Sequence, residues 1–129
     1  MSVAIAVVGL GGAGCRIVSK SRERIEDTAT VIAVDTDMSA LSDCEVPIEV
    51  QIGVTRTNGL GCGGDVGQGR LAAEDDTTPL RNCFDGKDLI IMVAGLGGGV
   101  ATGAAPTVLR VAEESKILTI ALVTLPFPF

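Results

Sequence analysis

The chain has 129 residues, of which 47% are hydrophobic and only 20% charged, enough apolar material for one globular domain with a core and too little polarity for disorder. A net charge of -6 with no basic run offers no electrostatic footprint for nucleic acid or an anionic membrane, so neither is expected as a partner. No apolar run nears the roughly 20 residues of a membrane span and no basic start leads into one, so the expected compartment is the cytoplasm.

In chain order, VAIAVV (3–8), TVIAV (30–34), VPIEV (46–50), DLIIMVA (88–94) and ILTIALV (117–123) read as strands. Most are apolar at consecutive positions, as parallel strands covered on both faces are. The spacing of Ala13, Ile17, Val18, Ser21 and Ile25 predicts a helix after the first strand, with these side chains on its buried face. A helix is expected over about Gly67 to Asp76, broken near Pro79, with Thr78 capping a short second helix. Ala105, Val108, Leu109 and Ala112 predict another after the fourth strand, Pro106 sitting in its first turn. The alternation predicts an α/β domain of Rossmann-like architecture: a five-stranded parallel sheet of order 3-2-1-4-5 with helices on both faces. The fifth strand is then an exposed edge.

Cys15, Cys44, Cys62 and Cys83 form no CxxC pair and histidine is absent, which argues against a zinc site or a disulfide scaffold. Reduced, buried thiols are the expectation, and no metal ligand is assigned.

Glycine carries the functional signal. GLGGAG (9–14) matches GxGxxG between a strand and a helix, and Asp35 ends the second strand 35 - 14 = 21 residues later. Alone, this is the fingerprint of a dinucleotide site, with a pyrophosphate on the helix N-terminus and Asp35 on a ribose hydroxyl. Two further clusters, NGLGCGGD (58–65) and GLGGGVATG (95–103), precede the next two major helices. Three glycine loops at the C-terminal ends of parallel strands suit a triphosphate, because each offers backbone N–H groups and helix N-termini add favourable dipoles.

GLGGAG, DTD (35–37), GLGCGGD (59–65), AGLGGGVATGAAP (94–106) and the final TLPFPF together resemble the N-terminal GTP-binding domain of the FtsZ/tubulin family, in the family's order and over essentially the whole chain. The resemblance implies GTP or GDP as ligand, Mg2+ with the triphosphate, and filament assembly with a link to cell division. The phosphate-facing residues it implies are Gly11, Gly12, Ala13, Gly14 and Cys15, then Gly97, Gly98, Gly99, Val100, Ala101, Thr102 and Gly103. Gly61, Cys62, Gly63 and Gly64 would lie near the terminal phosphate, and Arg16 stands where the family has an asparagine near the base. Thr102 either bonds a ligand oxygen or caps the helix. Asp37, Asp65 and Glu74 read as surface acids or helix caps, Asp65 alternatively as a water-mediated magnesium contact.

The departures have predicted consequences. The signature loop usually reads GGGTGTG; here Val100 and Ala101 replace a threonine and a glycine, which weakens binding if Ala101 must hold a positive φ or if either side chain points at the phosphates. Leu125 replaces a common lysine. The family continues into a central helix and a second domain that supplies the acidic catalytic loop; the expectation here is a single domain over 1–129 without them, and no catalytic residue is assigned. Besides guanine nucleotide binding, two readings stay open: a nucleotide-free protein that joins or caps filaments of a full-length relative, and an NAD-binding module in which Asp35 is indispensable.

Overall fold

The computed structural model describes residues 2–126. The order is β1 (Ile5–Leu10), α1 (Gly11–Ile25), β2 (Thr30–Asp35), α2 (Met38–Ser42), β3 (Ile48–Gln51), α3 (Val54–Thr57), α4 (Val66–Asp75), α5 (Thr77–Phe84), β4 (Leu89–Gly95), α6 (Gly99–Glu114) and β5 (Leu118–Thr124). The strands form one sheet of order β3-β2-β1-β4-β5, every pairing parallel, as the alternation predicted.

Alternate residues of each strand serve opposite layers. Ala6, Val8 and Leu10 of β1, with Ile90, Met92 and Ala94 of β4, face α4, α5 and α6 and build the larger core around Leu80, Phe84 and Val108. Val7, Val31 and Val93 face the other way, against Val18 of α1. A third cluster of Cys15, Ala33, Leu41 and Cys44 seats α2 beside α1. Both faces of the central strands are thus consumed by packing, which explains their unbroken apolar runs. On β5 the cover stops: Leu118, Ile120, Leu122 and Val123 are all exposed.

Several local expectations are corrected. The break after α4 falls at Asp76, and α5 already contains Thr78 and Pro79. Pro79 is the third residue of α5, where a helix N–H has no intrahelical partner in any case, so proline costs little there. Thr78 caps nothing; Asp76 holds the junction, its Oδ2 accepting from Gly53 N at 2.7 Å and Val54 N at 3.2 Å and so tying the start of α3 to the break. Helix α6 begins at Gly99, which makes Pro106 an interior residue that leaves the Thr102 carbonyl without its usual partner four residues on. Ile17 lies off the buried face of α1, which runs through Gly11, Gly14, Cys15 and Val18. The short α2 and α3 carry no periodic signal. Cys15 and Cys44 are buried as expected, but Cys62 and Cys83 are only half-buried. Of the TLPFPF motif, residues 127–129 lie outside the described residues.

Candidate nucleotide site

The three glycine loops meet at the C-terminal ends of β1 and β4. Gly11 takes φ +76°, and a Cβ there would lie 3.2 Å from Ala101 N, so the first loop rests on the start of α6. The second loop reaches the same place from the other side: Gly61 (φ +87°) passes over Asp37, and Cys62 Sγ sits 3.5 Å from Thr36 Oγ1. A Cβ on Gly99 would lie 2.8 Å from Gly64 C and from Asp65 N. Gly11, Gly12 and Ala13 share a cavity of about 360 Å³ with Gly98, Gly99, Val100 and Ala101.

Glycines that look equivalent in sequence divide into two kinds. Some are bare because backbone packs against them. A side chain on Gly14 would run into the Val93 carbonyl, one on Gly69 into the Gly99 carbonyl, and one on Gly103 into the Val66 carbonyl. Gly14 and Gly103 are therefore glycine for packing, letting α1 sit on β4 and α4 cross α6 with backbones nearly touching, and the phosphate contacts expected of them would use their backbone N–H groups. Others face open space. A Cβ on Gly98 would meet nothing closer than Gly95 O at 4.0 Å, and at Gly63 and Gly64 it would meet nothing within 4 Å. At Gly12 the nearest group is the Arg16 guanidinium, 3.5 Å away. These four positions leave a cradle that side chains would fill. Gly97 needs its glycine for another reason, a φ of +107°.

The side chains singled out in sequence are mostly engaged. Thr102 Oγ1 accepts from Gly97 N at 2.8 Å, and Thr102 N donates to Gly98 O at 3.1 Å, so the residue laces the third loop rather than reaching outward. Val100 and Ala101 are buried, and Ala101 is helical; Asn58 and Lys116 are the non-glycine residues with positive φ among the described residues, so the conditional strain at Ala101 is absent. Cys15 Sγ donates to Val34 O at 3.4 Å beneath the loop, and burial pushes its thiol above the ordinary range. Only its backbone is left for the phosphate contact that the resemblance implies. Arg16 is exposed and joins no ion pair among the described residues.

The carboxylates act as caps and partners. Asp37 caps α2 through Ser39 N (2.9 Å) and Ala40 N (3.2 Å), and Asp65 caps α4 through Gln68 N (3.1 Å). Glu74 accepts from Thr107 Oγ1 and from Arg110, each at 2.9 Å, which lowers its pKa through the threonine bond first and the arginine second. Among the described residues no three of His, Cys, Asp and Glu gather as a metal group. Asp35 is 3% exposed, its Oδ1 accepting from Thr36 N at 2.7 Å, and burial raises its carboxyl above the ordinary value. A group so enclosed does not present itself to a ribose.

Sequence reasoning missed part of the cavity wall. Gly95, Leu96 and Thr124 line it, with Leu125 and Pro126 closing one side. It quoted DTD but gave no role to the middle residue, Thr36, which is fully buried with its hydroxyl beside Cys62. The position of DTD at the end of β2 was the available signal.

A parallel sheet of this order, with glycine loops gathered at its switch point, is an α/β domain of the Rossmann type. The sequence model described as Tubulin/FtsZ family, GTPase domain, matches residues 4–129, and the chain belongs to that family. It is 46% identical over 126 residues to the cell division protein FtsZ of Buchnera aphidicola, covering 97% of this chain and 33% of the relative. Among solved structures, an empty FtsZ dimer of M. jannaschii matches with TM-score 0.94 and 34% identity, over 98% of this chain and 37% of that one. A GTPgS-bound protofilament of CetZ2 from Haloferax volcanii matches with TM-score 0.82 and 30% identity, over 94% and 39%. The chain thus spans about a third of the length of the relatives it matches. Among the described residues no helix is long and apolar enough to cross a membrane.

Proposed function

We propose that this domain binds GTP or GDP, phosphates in the cradle of Gly12, Gly63, Gly64 and Gly98, as part of an FtsZ-like cell division filament system. The observation that carries the reading is the open space beside those four glycines, on three loops brought together by three different elements. Backbone N–H groups there suit an anion that a dinucleotide-type first loop alone would not fully surround. The base and ribose would lie beyond Gly12, which lines both the cavity walled by Ala13 and Thr124–Pro126 and the neighbouring one that Arg16 lines. Magnesium would be held chiefly by the phosphates, with Asp65 on the second loop as the nearby carboxylate for a water-mediated contact; bound there, it neutralises phosphate charge.

Buried Asp35 weighs against the NAD reading, and the helical backbone of Ala101 removes one ground, backbone strain, for a nucleotide-free partner protein. Calorimetric titration of nucleotide-stripped protein with GTP and Mg2+, beside ATP and NAD, tests the proposal. Saturable GTP binding lost on filling the cradle supports it; no heat at millimolar GTP sinks it.

A further inference from the structure

The cavity shared by the first and third glycine loops is lined without a single charged side chain. A polyphosphate entering it, on a chain of net charge -6, meets only backbone N–H groups and helix dipoles unless a cation reaches in from the rim. Arg16 does so. Gly12 lines this cavity and also the neighbouring one of about 390 Å³ between α1 and α2, whose wall includes Arg16 and Asp43. Arg16 stands four residues after Gly12 on α1, and helical side chains lean toward the N-terminus, so its guanidinium comes back over that glycine. Its Nη1 lies 3.5 Å from where a Cβ on Gly12 would be, and with no side chain at position 12 it overhangs the open rim of the cradle.

For the protein alone this placement is electrostatically poor. The first turn of α1 carries no acidic residue, and the N-terminus of a helix is the positive end of its dipole. Arg22, Arg56 and Arg110 each have a carboxylate partner, whereas Arg16 is in none of the ion pairs among the described residues, Asp43 included. A cation turned back onto the positive end of a helix without a partner is repelled there, and an anion between the two relieves both.

We infer that Arg16 is a phosphate-binding residue whose guanidinium holds the nucleotide phosphate on the ribose side of Gly12, an inference that rests on the nucleotide reading above. The planar fork of arginine presents two parallel N–H donors to two phosphate oxygens and keeps its charge at every working pH. It is the side-chain charge that a cradle built of glycine backbone lacks.

The test is calorimetric titration of the 129-residue chain and of Arg16→Gln with GTP and with GDP at low and high salt, beside thermal unfolding without nucleotide. Arg16→Gln keeps a polar side chain and removes the charge. It is expected to bind GTP and GDP alike at least about tenfold more weakly, with a flatter salt dependence, and to melt no lower than the parent. Arg16→Lys is expected to recover part of the affinity together with the salt dependence. Equal affinity and equal salt dependence in the parent and Arg16→Gln overturn the inference and leave the nucleotide site standing. Weaker binding with an unchanged salt dependence also overturns it, as a loss of packing or of a base contact, and so does a loss restricted to GTP, which puts the side chain at the terminal phosphate. A parent that binds neither nucleotide overturns the nucleotide reading and this inference together.

Discussion

Gly69 of α4 and Gly99 of α6 meet backbone to backbone: a methyl group on Gly69 would collide with the Gly99 carbonyl. Glycines in and around the signature loop therefore do two jobs, and substitution separates them. Gly98 has φ -84°, a conformation any residue adopts, and open space beside it. Gly98→Val is expected to keep the melting temperature within a few degrees while weakening GTP binding by at least about tenfold, or ~1.4 kcal/mol. Gly103→Ala does the reverse, costing about 1–3 kcal/mol of stability by overpacking against Val66. Urea denaturation and calorimetry on both variants check the contrast; a Gly98 variant that binds normally removes the cradle from consideration.

Thr102 holds the third loop closed through Gly97 N. Thr102→Val keeps the shape and deletes the acceptor, an expected loss of about 0.5–1.5 kcal/mol in stability with a severalfold fall in GTP affinity. Thr102→Ser retains the oxygen and is expected to restore both. Rescue by valine instead would assign the residue to packing.

Asp35 gives a pH signature. Burial raises its folded pKa above the unfolded value, so the native state holds the proton more tightly and stability falls as pH climbs from about 4 through the raised folded value. Asp35→Asn lacks this slope and can still accept from Thr36 N. Relative to wild type, the variant is expected to gain stability between about pH 4 and pH 7 and to bind GTP unchanged. The comparison is denaturant unfolding at both pH values. A variant that loses ground as pH rises would mean the carboxylate is favoured, not penalised, by its surroundings.

Thiol labelling reports on the site. Burial raises Cys15 and Cys44 and pushes Cys83 up to about 11, so the three react slowly in the folded protein. Cys62, half-buried on the second loop, is expected to label first, and GTP with Mg2+ to slow it. Equal labelling with and without nucleotide would place the terminal phosphate elsewhere.

The parallel strands and the glycine turns after them were legible because each shows in local composition, Val and Ile runs for the one and glycine clusters for the other, and the sheet order followed from their alternation with helices and the right-handed crossover rule. Which glycines pack and which stand open was not legible. Gly98 and Gly103 share one loop motif, yet only distant contacts from α4 distinguish them. Pro106 misled because α6 starts at Gly99, well before Ala105, Val108, Leu109 and Ala112, the positions whose spacing carried the helix expectation. Thr78 was a reasonable cap by residue type, but Asp76 is bound to Gly53 and Val54, a relation 23 residues long that no local rule contains.

The crossing of α4 and α6 joins the second and third glycine loops into one rigid jaw, since Gly64 and Asp65 press on Gly99 and the helices behind them have no room to slide. The first loop belongs to α1 and touches this body mainly where Gly11 meets Ala101. An anion gripped at Gly63, Gly64 and Gly98 would therefore be held by one body, and a displacement of either loop is shared by both helices, one running to Pro106 and the other to the break at Asp76.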